Sequence, residues 1–311
     1  MTGRVVAFGA ASWNTMIGVE AFPPARPASI FPPAWHETVG SSGAGKAMNL
    51  ARLGVDVTLH CLMGDDDRGA WIRAGLAEAG VDVDAVADPT GSGRHVNLMD
   101  RSGRRISFLL HTGDPAARFD GPEVERLVGG AAEVLVEITD AARPVLDVAR
   151  RLGKRTWTDL HATDGERDWE HDFWRADRVF FSGERLTDPR PFMERLRAAG
   201  RELVVCTLAE RGAIALTADG RWIDTPATAV SETVDANGAG DAFLAGVVFG
   251  TLRGRSIEES LAMAARVAAL AVGSPDLAPP SIDVVALEAE AVASVAAGGA
   301  ASGQRAAATA R

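Results

Sequence analysis

The sequence predicts an α/β protein with a doubly wound, mostly parallel central sheet, helices on both of its faces, and a smaller part outside it. Three observations support this class. Short apolar runs alternate with helical stretches through the second half of the chain, which is typical of a parallel sheet wound with helices. A proline-rich segment and a hairpin pattern interrupt the first half. The length of 311 residues is enough to bury a large core.

The first half of the chain begins with a buried strand and then leaves the main body. Val5 to Gly9 is an apolar run that ends in glycine, as expected of a first strand. Residues 15–38 contain five prolines, which argues against a helix and against a central strand. Residues 92–112 alternate apolar and polar positions around a turn at residues 100–103, and this predicts a hairpin.

Two helices and a second buried strand are predicted between these segments. The stretch Gly40-Ser-Ser-Gly-Ala-Gly-Lys46 opens an amphipathic helix that Gly54 closes. Residues 57–63 read as a strand, and residues 64–69 as a turn that contains three consecutive aspartates. We interpret this acidic triplet first as a solvated turn and second as part of a site. The next helix is predicted over residues 70–79.

The second half supplies most strands of the parallel sheet. Its apolar runs cover residues 134–138, 155–160, 179–181, 203–207 and 213–217. An alanine-rich helix follows at residues 261–271, and a last helix is predicted at residues 282–294. The tail from residue 296 is rich in Ala, Gly and Ser without apolar periodicity, so we expect it to be disordered.

Composition and charge exclude several classes of function. The net charge is −10 and no long basic run is present, so binding to nucleic acid or to an anionic membrane is not expected. The chain has no secretory leader pattern and no apolar stretch long enough to span a bilayer, which predicts a cytoplasmic location. Cys61 and Cys206 lie in apolar runs without zinc spacing, so we expect two buried, reduced thiols.

The chemistry is indicated by a glycine-rich stretch near the C-terminus. Gly238, Ala239 and Gly240 precede Asp241, and apolar residues then recur at helical spacing. Unpaired N–H groups and the dipole at such a helix start favour an anion, and a turn without side chains lets phosphate oxygens come close. A carboxylate at Asp241 could accept a proton from a hydroxyl held there. The alternative is that Asp235 and Asp241 only stabilise the helix N-terminus.

The segment Asp235-Ala-Asn-Gly-Ala-Gly-Asp241 resembles the C-terminal signature of the ribokinase-like (PfkB) family of sugar and nucleoside kinases, with Ala236 in place of the usual Thr. The resemblance implies that Asp241 is the catalytic base and that the amides of residues 238–240 stabilise the transferring phosphoryl group. It also implies one kinase domain over residues 1–295. Residues of about 14–39 and 92–112 would form an inserted small β-sheet lid, which in the family covers the sugar and sometimes forms a dimer contact.

The N-terminal glycine-rich stretch resembles a second signature of this family, which lines the sugar site. Ser41 takes the place of its second Gly, and Gly45 takes the place of the Asn usually found in the helix. Asn14 stands where many members carry an Asp that binds sugar hydroxyls. Spacing alone offers an alternative, because Gly40 to Lys46 matches a Walker A loop, although Ala47 replaces the Ser or Thr that would hold magnesium.

Polar residues at strand ends give further candidates, because ligands of such sheets gather beyond the carboxyl ends of the strands. Residues at or just past predicted strand ends are Asn14, Glu137, Asp159, His161, Ser182, Glu184 and Thr207. With the resemblance, the predicted substrate-binding residues are Asn14, Gly40, Ser41, Gly45, Glu137 and Asp235. The predicted nucleotide-binding residues are Ser182, Thr207, Ala209, Gly212, Asn237, Gly238 and Gly240.

Some of these positions depart from the family pattern. Ala209 occupies the first Gly position of the nucleotide loop Thr-x-Gly-x-x-Gly. Ser182 replaces an Asn, and Glu184 lies one residue early for the Glu that organises magnesium-bound water. Glu184 remains the candidate metal-linked residue, acting through water.

The predicted function is ATP-dependent phosphorylation of a hydroxymethyl group on a small sugar or sugar derivative. The resemblance implies ATP and Mg²⁺ as cofactors and allows a monovalent cation. A nucleoside acceptor is one alternative. A sugar- or nucleotide-binding protein that keeps the fold without catalysis is another. The partners expected are a small-molecule substrate and, through the lid, a second copy of the chain.

Overall fold

Two β-sheets organise the structure, a computed structural model that describes residues 3–101, 103–231, 233–274, 276–280 and 282–295. The strands are β1 (Val5–Phe8), β2 (Ser12–Val19), β3 (Ala34–Gly40), β4 (Val57–Met63), β5 (Asp82–Ala87), β6 (Gly93–Asp100), β7 (Arg105–His111), β8 (Glu133–Val136), β9 (Thr156–Ala162), β10 (Arg178–Ser182), β11 (Leu203–Thr207), β12 (Ala213–Thr217) and β13 (Trp222–Thr225).

The helices alternate with these strands along the chain. They are α1 (Ser42–Arg52), α2 (Asp67–Glu78), α3 (Gly121–Gly130), α4 (Val145–Arg151), α5 (Arg190–Ala198), α6 (Ala239–Leu252), α7 (Ile257–Val272) and α8 (residues 284–295). The predicted helices at residues 261–271 and 282–294 correspond to α7 and α8. The predicted disordered tail from residue 296 lies outside the described residues.

The large sheet has the strand order β13-β12-β11-β10-β9-β8-β1-β4-β5. All neighbours from β11 to β5 pair in parallel, and only β12 and β13 are antiparallel. This confirms the predicted mostly parallel sheet. The strands β5 and β13 were not predicted, because these edge strands are only partly buried and show no apolar run.

Helices cover both faces of the large sheet. Successive residues of β1 point to opposite faces, so Val5 and Ala7 join one core while Val6 and Phe8 join the other. The first core is closed by α1, α2, α6 and α7, and the second by α3, α4 and α5. The doubly wound arrangement predicted from the alternating pattern is therefore confirmed.

The small sheet has the strand order β3-β2-β6-β7. The strand β2 pairs antiparallel with β3 and parallel with β6, and β6 pairs antiparallel with β7. The predicted hairpin at residues 92–112 is the pair β6 and β7. The five prolines of the proline-rich segment all lie in the connection between β2 and β3, so both of these strands keep their backbone donors.

The acidic triplet at residues 65–67 is more than a solvated turn. Asp65 and Asp67 are exposed, but the Oδ1 atom of Asp66 accepts a hydrogen bond from the backbone N–H of Gly69 at 2.8 Å and caps α2. Asp66 also accepts from the hydroxyl of Ser92 at 2.7 Å. Because of this cap, α2 starts three residues earlier than the sequence pattern predicted.

The two cysteines are free and buried, as predicted. Burial raises the pKa of the Cys61 thiol to about 12, and burial likewise raises that of Cys206 to about 12. Both thiols therefore stay protonated at neutral pH. Among the described residues, no helix is both long and apolar enough to cross a bilayer.

Candidate active site

The site is built around the start of α6. Gly238 is the N-cap residue of this helix and has a φ of 81°, in the left-handed region that favours glycine. A Cβ atom on Gly238 would also lie 3.1 Å from the carbonyl oxygen of Leu277. Glycine at this position lets the chain turn sharply into α6, and it places Asp241 in the first turn.

Three backbone amides at this turn are unpaired. In the part of the chain that the structure describes, no acceptor meets the N–H groups of Gly238, Gly240 or Asp241, whereas the N–H of Ala239 donates to the carbonyl of Ala236 at 3.4 Å. A Cβ atom on Gly240 would meet nothing within 4 Å. The helix start thus offers open space and free donors to an anion. The amide of Ala239, which was predicted to take part with those of Gly238, Gly240 and Asp241, is already paired.

The carboxylate of Asp241 is hydrogen-bonded through only one of its two oxygen atoms. Its Oδ1 atom accepts a hydrogen bond from Lys46 Nζ at 2.8 Å and another from the hydroxyl of Ser42. Its Oδ2 atom has no hydrogen-bond partner among the described residues. One oxygen is therefore anchored, and the other is available to accept a proton.

Lys46 is a buried cation surrounded by acids. Its Nζ atom lies 2.7 Å from Glu137 Oε1, 2.8 Å from Asp241 Oδ1 and 3.2 Å from Asp159 Oδ2. Burial by itself would lower the pKa of Lys46, but these carboxylates outweigh it and hold the pKa well above its usual value. The lysine is therefore a permanent ammonium ion that neutralises part of the acidic cluster.

This arrangement does not fit the Walker A alternative. Helix α1 begins at Ser42, and Lys46 lies inside it with only 2% of its surface exposed. The preceding strand, β3, belongs to the small sheet rather than to the parallel sheet. A phosphate-binding lysine must reach out of the loop, whereas Lys46 is bound to carboxylates inside the protein.

Gly45 packs closely against Asp241, and the space between them has no room for a side chain at position 45. A Cβ atom built on Gly45 would lie 2.7 Å from Asp241 Oδ2 and 3.3 Å from its Cβ and Cγ atoms. Any side chain here would displace the Asp241 carboxylate. The Gly that replaces the signature Asn at position 45 thus fits the close approach of α1 to α6 in this chain.

The predicted acceptor residues meet at the junction of the small sheet with α1. The hydroxyl of Ser12 donates to Asn14 Oδ1 at 2.6 Å and lies 2.9 Å from the hydroxyl of Ser41. His95 Nδ1 lies 3.4 Å from the same Ser12 oxygen. Gly40 is tightly packed, since a Cβ atom there would be 1.9 Å from Asn14 Nδ2. This is a neutral cluster of hydroxyl, amide and imidazole groups, which suits the binding of sugar hydroxyls.

The small sheet contacts the glycine-rich turn at its other end. A Cβ atom on Gly103, in the turn between β6 and β7, would be 3.8 Å from side-chain atoms of both Thr233 and Ala236. Burial raises the pKa of Asp235, while nearby Arg105 and His36 of the small sheet act in the opposite direction. The turn between β6 and β7 therefore lies against the segment that leads into α6.

Asp235 and Glu137 have contacts within the protein that do not need a substrate. Asp235 Oδ1 accepts the backbone N–H of Asn237 at 2.7 Å and shapes the turn before Gly238. Glu137 is 6% exposed and paired with Lys46. Both were predicted to bind substrate directly, and that role stays a prediction.

The predicted nucleotide residues lie farther along the same edge of the sheet. Ser182 and Thr207 are the last residues of β10 and β11 and are direct neighbours in the pairing. The backbone N–H of Leu208 donates to the carbonyl of Gly212 at 2.7 Å and closes the loop after β11. The carboxyl ends of four adjacent strands, β8 to β11, thus contribute polar side chains to one edge.

Backbone strain concentrates around this edge. Among the described residues, the non-glycine residues with positive φ are Ser41 (76°), His161 (54°) and Ala209 (53°). Ser41 and Ala209 occupy positions where the two family signatures carry glycine. The chain keeps the left-handed backbone there without the residue that tolerates it best, and such strain is a feature of functional sites.

A family comparison decides what this geometry belongs to. The model of the pfkB family of carbohydrate kinases matches residues 3–129 and 176–283. The chain belongs to the pfkB family. It is therefore a phosphotransferase that acts on a sugar or nucleoside, and the family implies ATP as the phosphoryl donor.

Individual pfkB relatives cover nearly the whole chain. Acarbose 7(IV)-phosphotransferase of an Actinoplanes species is 33% identical over 291 residues, which are 91% of this chain and 96% of that protein. The ATP-dependent ribose-1-phosphate kinase of Halopiger xanaduensis is 30% identical over 298 residues, or 91% and 97% of the two chains. The solved structure of a microbiome-derived acarbose kinase superposes with a TM-score of 0.84 at 27% identity, covering 94% of this chain and 99% of that one.

A magnesium ion of the kind used by pfkB kinases would need few protein ligands. Glu184 lies exposed in a short turn directly after β10, where its backbone N–H donates to the Ser182 hydroxyl at 3.4 Å. Within the described ranges, no group of three or more His, Cys, Asp or Glu side chains could hold a metal ion. Nucleotide-bound Mg²⁺ uses phosphate oxygens, waters and only one or two carboxylates, so Glu184 fits a role through water.

Sequence reasoning missed the residues that anchor Asp241. Ser42 was not singled out, and Lys46 was considered only as a phosphate ligand. A signal for Lys46 was present, because it shares a helical face with Ser42, Gly43 and Leu50, where the other residues are small or apolar. A lysine on a buried face must be paired with acids, and Glu137 and Asp159 at strand ends were available for that pairing.

Proposed function

We propose that this pfkB kinase transfers the γ-phosphoryl group of ATP to a hydroxymethyl group of a sugar or sugar derivative, with Asp241 as the general base. The observation that supports this most is the unpartnered Oδ2 atom of Asp241, next to the unpaired amides of Gly240 and Asp241 itself. A proton acceptor and an anion site lie side by side, in the arrangement that phosphoryl transfer to an alcohol requires.

In the proposed reaction the chain contributes positioning and charge. Bound ATP would supply the phosphoryl group, and a Mg²⁺ ion held through water by Glu184 would neutralise charge on the phosphate oxygens. Asp241 Oδ2 accepts the proton of the acceptor hydroxyl while the alcohol oxygen forms its bond to phosphorus and the bond to ADP breaks. The N–H groups of Gly238, Gly240 and Asp241 donate to the transferring group and stabilise its charge. The small sheet excludes water, which would otherwise compete as acceptor.

The acceptor side supports a polyhydroxylated, uncharged group. Ser12, Asn14 and Ser41 present neutral donors and acceptors, and an amide at position 14 can bridge two hydroxyls without requiring a charge partner. The names of the relatives extend the candidates to acarbose-like oligosaccharides and to ribose 1-phosphate. We place the neutral saccharides first, because the groups that meet Asn14 are the uncharged hydroxyls of Ser12 and Ser41.

An assay of ADP release with a panel of acceptors tests this proposal. The panel contains acarbose, simple hexoses and pentoses, ribose 1-phosphate and nucleosides, each with ATP and Mg²⁺, and a reaction without acceptor is the control. We expect ADP release that depends on a saccharide. A nucleoside as the best acceptor would favour the alternative substrate class. Binding of saccharide and ATP without ADP release would instead support the non-catalytic alternative.

We further propose that the outer face of the small sheet contacts a second copy of the chain. The strand pairing places Ile17 beside Trp35 and Val96 beside Phe108, on the face opposite to Asn14. Trp35 is 64% exposed and Phe108 is 50% exposed. Contiguous exposed apolar side chains of this kind are typical of interaction surfaces, and the chain can cover them in a symmetric dimer.

Replacing Phe108 with Arg tests this contact. We expect the variant to be a monomer in sedimentation velocity at concentrations where the wild type is a dimer, since a charge in an apolar interface is left unpaired. The matched control is Val285→Arg, because Val285 is an exposed apolar residue on α8, 80% exposed and outside the small sheet. A monomeric wild type, or a dimer unaffected by Phe108→Arg, would contradict the proposed contact.

A further inference from the structure

The proposed reaction needs the carboxylate of Asp241. A second set of residues, outside the glycine-rich turn, holds this carboxylate in place. Lys46 is one of only two lysines in the chain, and its side chain is 3% exposed. It faces Glu137, Asp159 and Asp241, and His161 Nδ1 lies 3.6 Å from Asp159 Oδ2, the oxygen that Lys46 also contacts. One ammonium ion thus connects the end of β8 and the middle of β9 to the start of α6.

We propose that Lys46, together with Ser42, is a positioning residue that holds Asp241 by its Oδ1 atom so that Oδ2 faces the acceptor hydroxyl. The inference rests on the proposed function, because it assigns a task within the same reaction. It adds residues from α1 to a base that the C-terminal signature supplies.

The contacts fix the orientation of the Asp241 carboxylate. Ser42 and Lys46 are one turn apart on α1, and both donate to the same oxygen of Asp241. Lys46 is itself fixed by Glu137 at 2.7 Å and Asp159 at 3.2 Å, so its position is set by the edge of the large sheet. Charge-assisted hydrogen bonds in a site shielded from water are strong and directional. Rotation of the Asp241 carboxylate would break its hydrogen bonds with both donors, Ser42 and Lys46.

Gly45 completes the arrangement on the other oxygen. Since a Cβ atom on Gly45 would lie 2.7 Å from Asp241 Oδ2, the absence of a side chain at position 45 leaves Oδ2 in place and uncovered. The same turn of α1 thus donates hydrogen bonds to Oδ1 and leaves space beside Oδ2. Gly45, in place of the family Asn, and the buried Lys46 therefore act together on the Asp241 carboxylate: Lys46 binds Oδ1, and Gly45 leaves space at Oδ2.

A purely structural role for Lys46 makes a different prediction. Three carboxylates near one point need a cation, whether or not Asp241 reacts. If Lys46 served only that purpose, its removal would mainly lower thermal stability, and a variant that still folds would keep a near-normal kcat. If it positions the base, its removal should matter only while the base is present. A double-mutant cycle separates the two roles.

The cycle combines Lys46→Met with Asp241→Asn and measures kcat with the best acceptor of the panel. We expect Lys46→Met to lower kcat by about 10²-fold, the effect of misplacing a reacting group, while the KM for ATP changes little. In the Asp241→Asn background we expect less than a roughly 3-fold further loss. Lys154→Met is the matched control, because Lys154 is the other lysine and donates to the carbonyl of Ala131, away from the site.

Ser42→Ala provides a second test that leaves the charges intact. This variant removes one neutral donor to Asp241 Oδ1, and we expect a loss in kcat of about 10-fold that also vanishes in the Asp241→Asn background. It decides the question if Lys46→Met does not fold. Thermal unfolding of each variant shows which ones are folded.

The outcomes distinguish this inference from the function on which it rests. An additive cycle in an active enzyme, with full losses in both backgrounds, would overturn the positioning role and leave the kinase proposal standing. A rise in the KM for ATP without a fall in kcat would overturn it as well. A wild type that releases no ADP with any acceptor would overturn both together.

Discussion

Replacing Asp241 with Asn should lower kcat by roughly 10²- to 10⁴-fold, the usual contribution of a general base. The amide keeps the shape of the side chain but cannot take the proton of the acceptor hydroxyl. Since the unpaired amides of the turn belong to the backbone, ATP affinity should change little. Initial rates of ADP release and ATP titrations followed by calorimetry measure the two quantities separately.

The alternative interpretation of Asp241, as an acid that only stabilises the start of α6, is tested by a matched control. Asp283 accepts the backbone N–H of Ala286 at 3.0 Å at the start of α8. Asp283→Asn should leave turnover near normal and change stability slightly. If Asp241→Asn behaves like Asp283→Asn, with near-normal turnover, Asp241 is not the base.

The fold could be predicted because its main signals are local. Apolar runs identified β1, β4 and β8 to β12, and the alternation with helices identified the parallel sheet. What escaped prediction were strands whose burial depends on tertiary contacts. The residues of β5 and β13 are only partly buried at the sheet edges, so their composition resembles that of loops.

The site could be predicted only where a short motif or a general rule applied. The glycine-rich turn gave Asp241, and the strand-end rule placed Glu137, Asp159, Ser182 and Thr207 at one edge. Their division into two groups follows from strand order. Glu137 follows β8 and Asp159 lies within β9, near the middle of the sheet, and both meet Lys46, whereas Ser182 and Thr207 lie farther out. No local pattern contains that order.

Departures from the family signatures proved informative for a physical reason. A side chain at position 45 would displace the Asp241 carboxylate, because Asp241 Oδ2 lies 2.7 Å from the Cβ position. Ser41 and Ala209 keep positive φ values of 76° and 53°, although each replaces a signature glycine. The backbone conformation of the signatures is thus retained at these two positions, although the glycine is not. A comparison of the motif sequences alone would suggest that the signatures are broken there.

Placing an acid in the glycine-rich turn should have the second large effect. Gly240→Asp should lower kcat/KM for ATP by roughly 10³-fold, because a carboxylate close to the free amides of Gly238 and Asp241 repels phosphate and takes their hydrogen bonds. The side chain has room, since a Cβ atom on Gly240 meets nothing within 4 Å. An acid in the first turn also stabilises a helix, so lost activity would not reflect unfolding of α6.

Gly240→Asn and Gly240→Ala separate charge from size. Asn has the volume of Asp without its charge, and Ala adds only the Cβ atom. If phosphate binds at this turn, kcat/KM for ATP should fall in the order Ala, Asn, Asp, with the largest step between Asn and Asp, and that step should shrink as ionic strength rises. Equal values for Asn and Asp would mean that no anion binds beside Gly240, and Asp241 would then have no phosphoryl group within reach of the alcohol that it deprotonates.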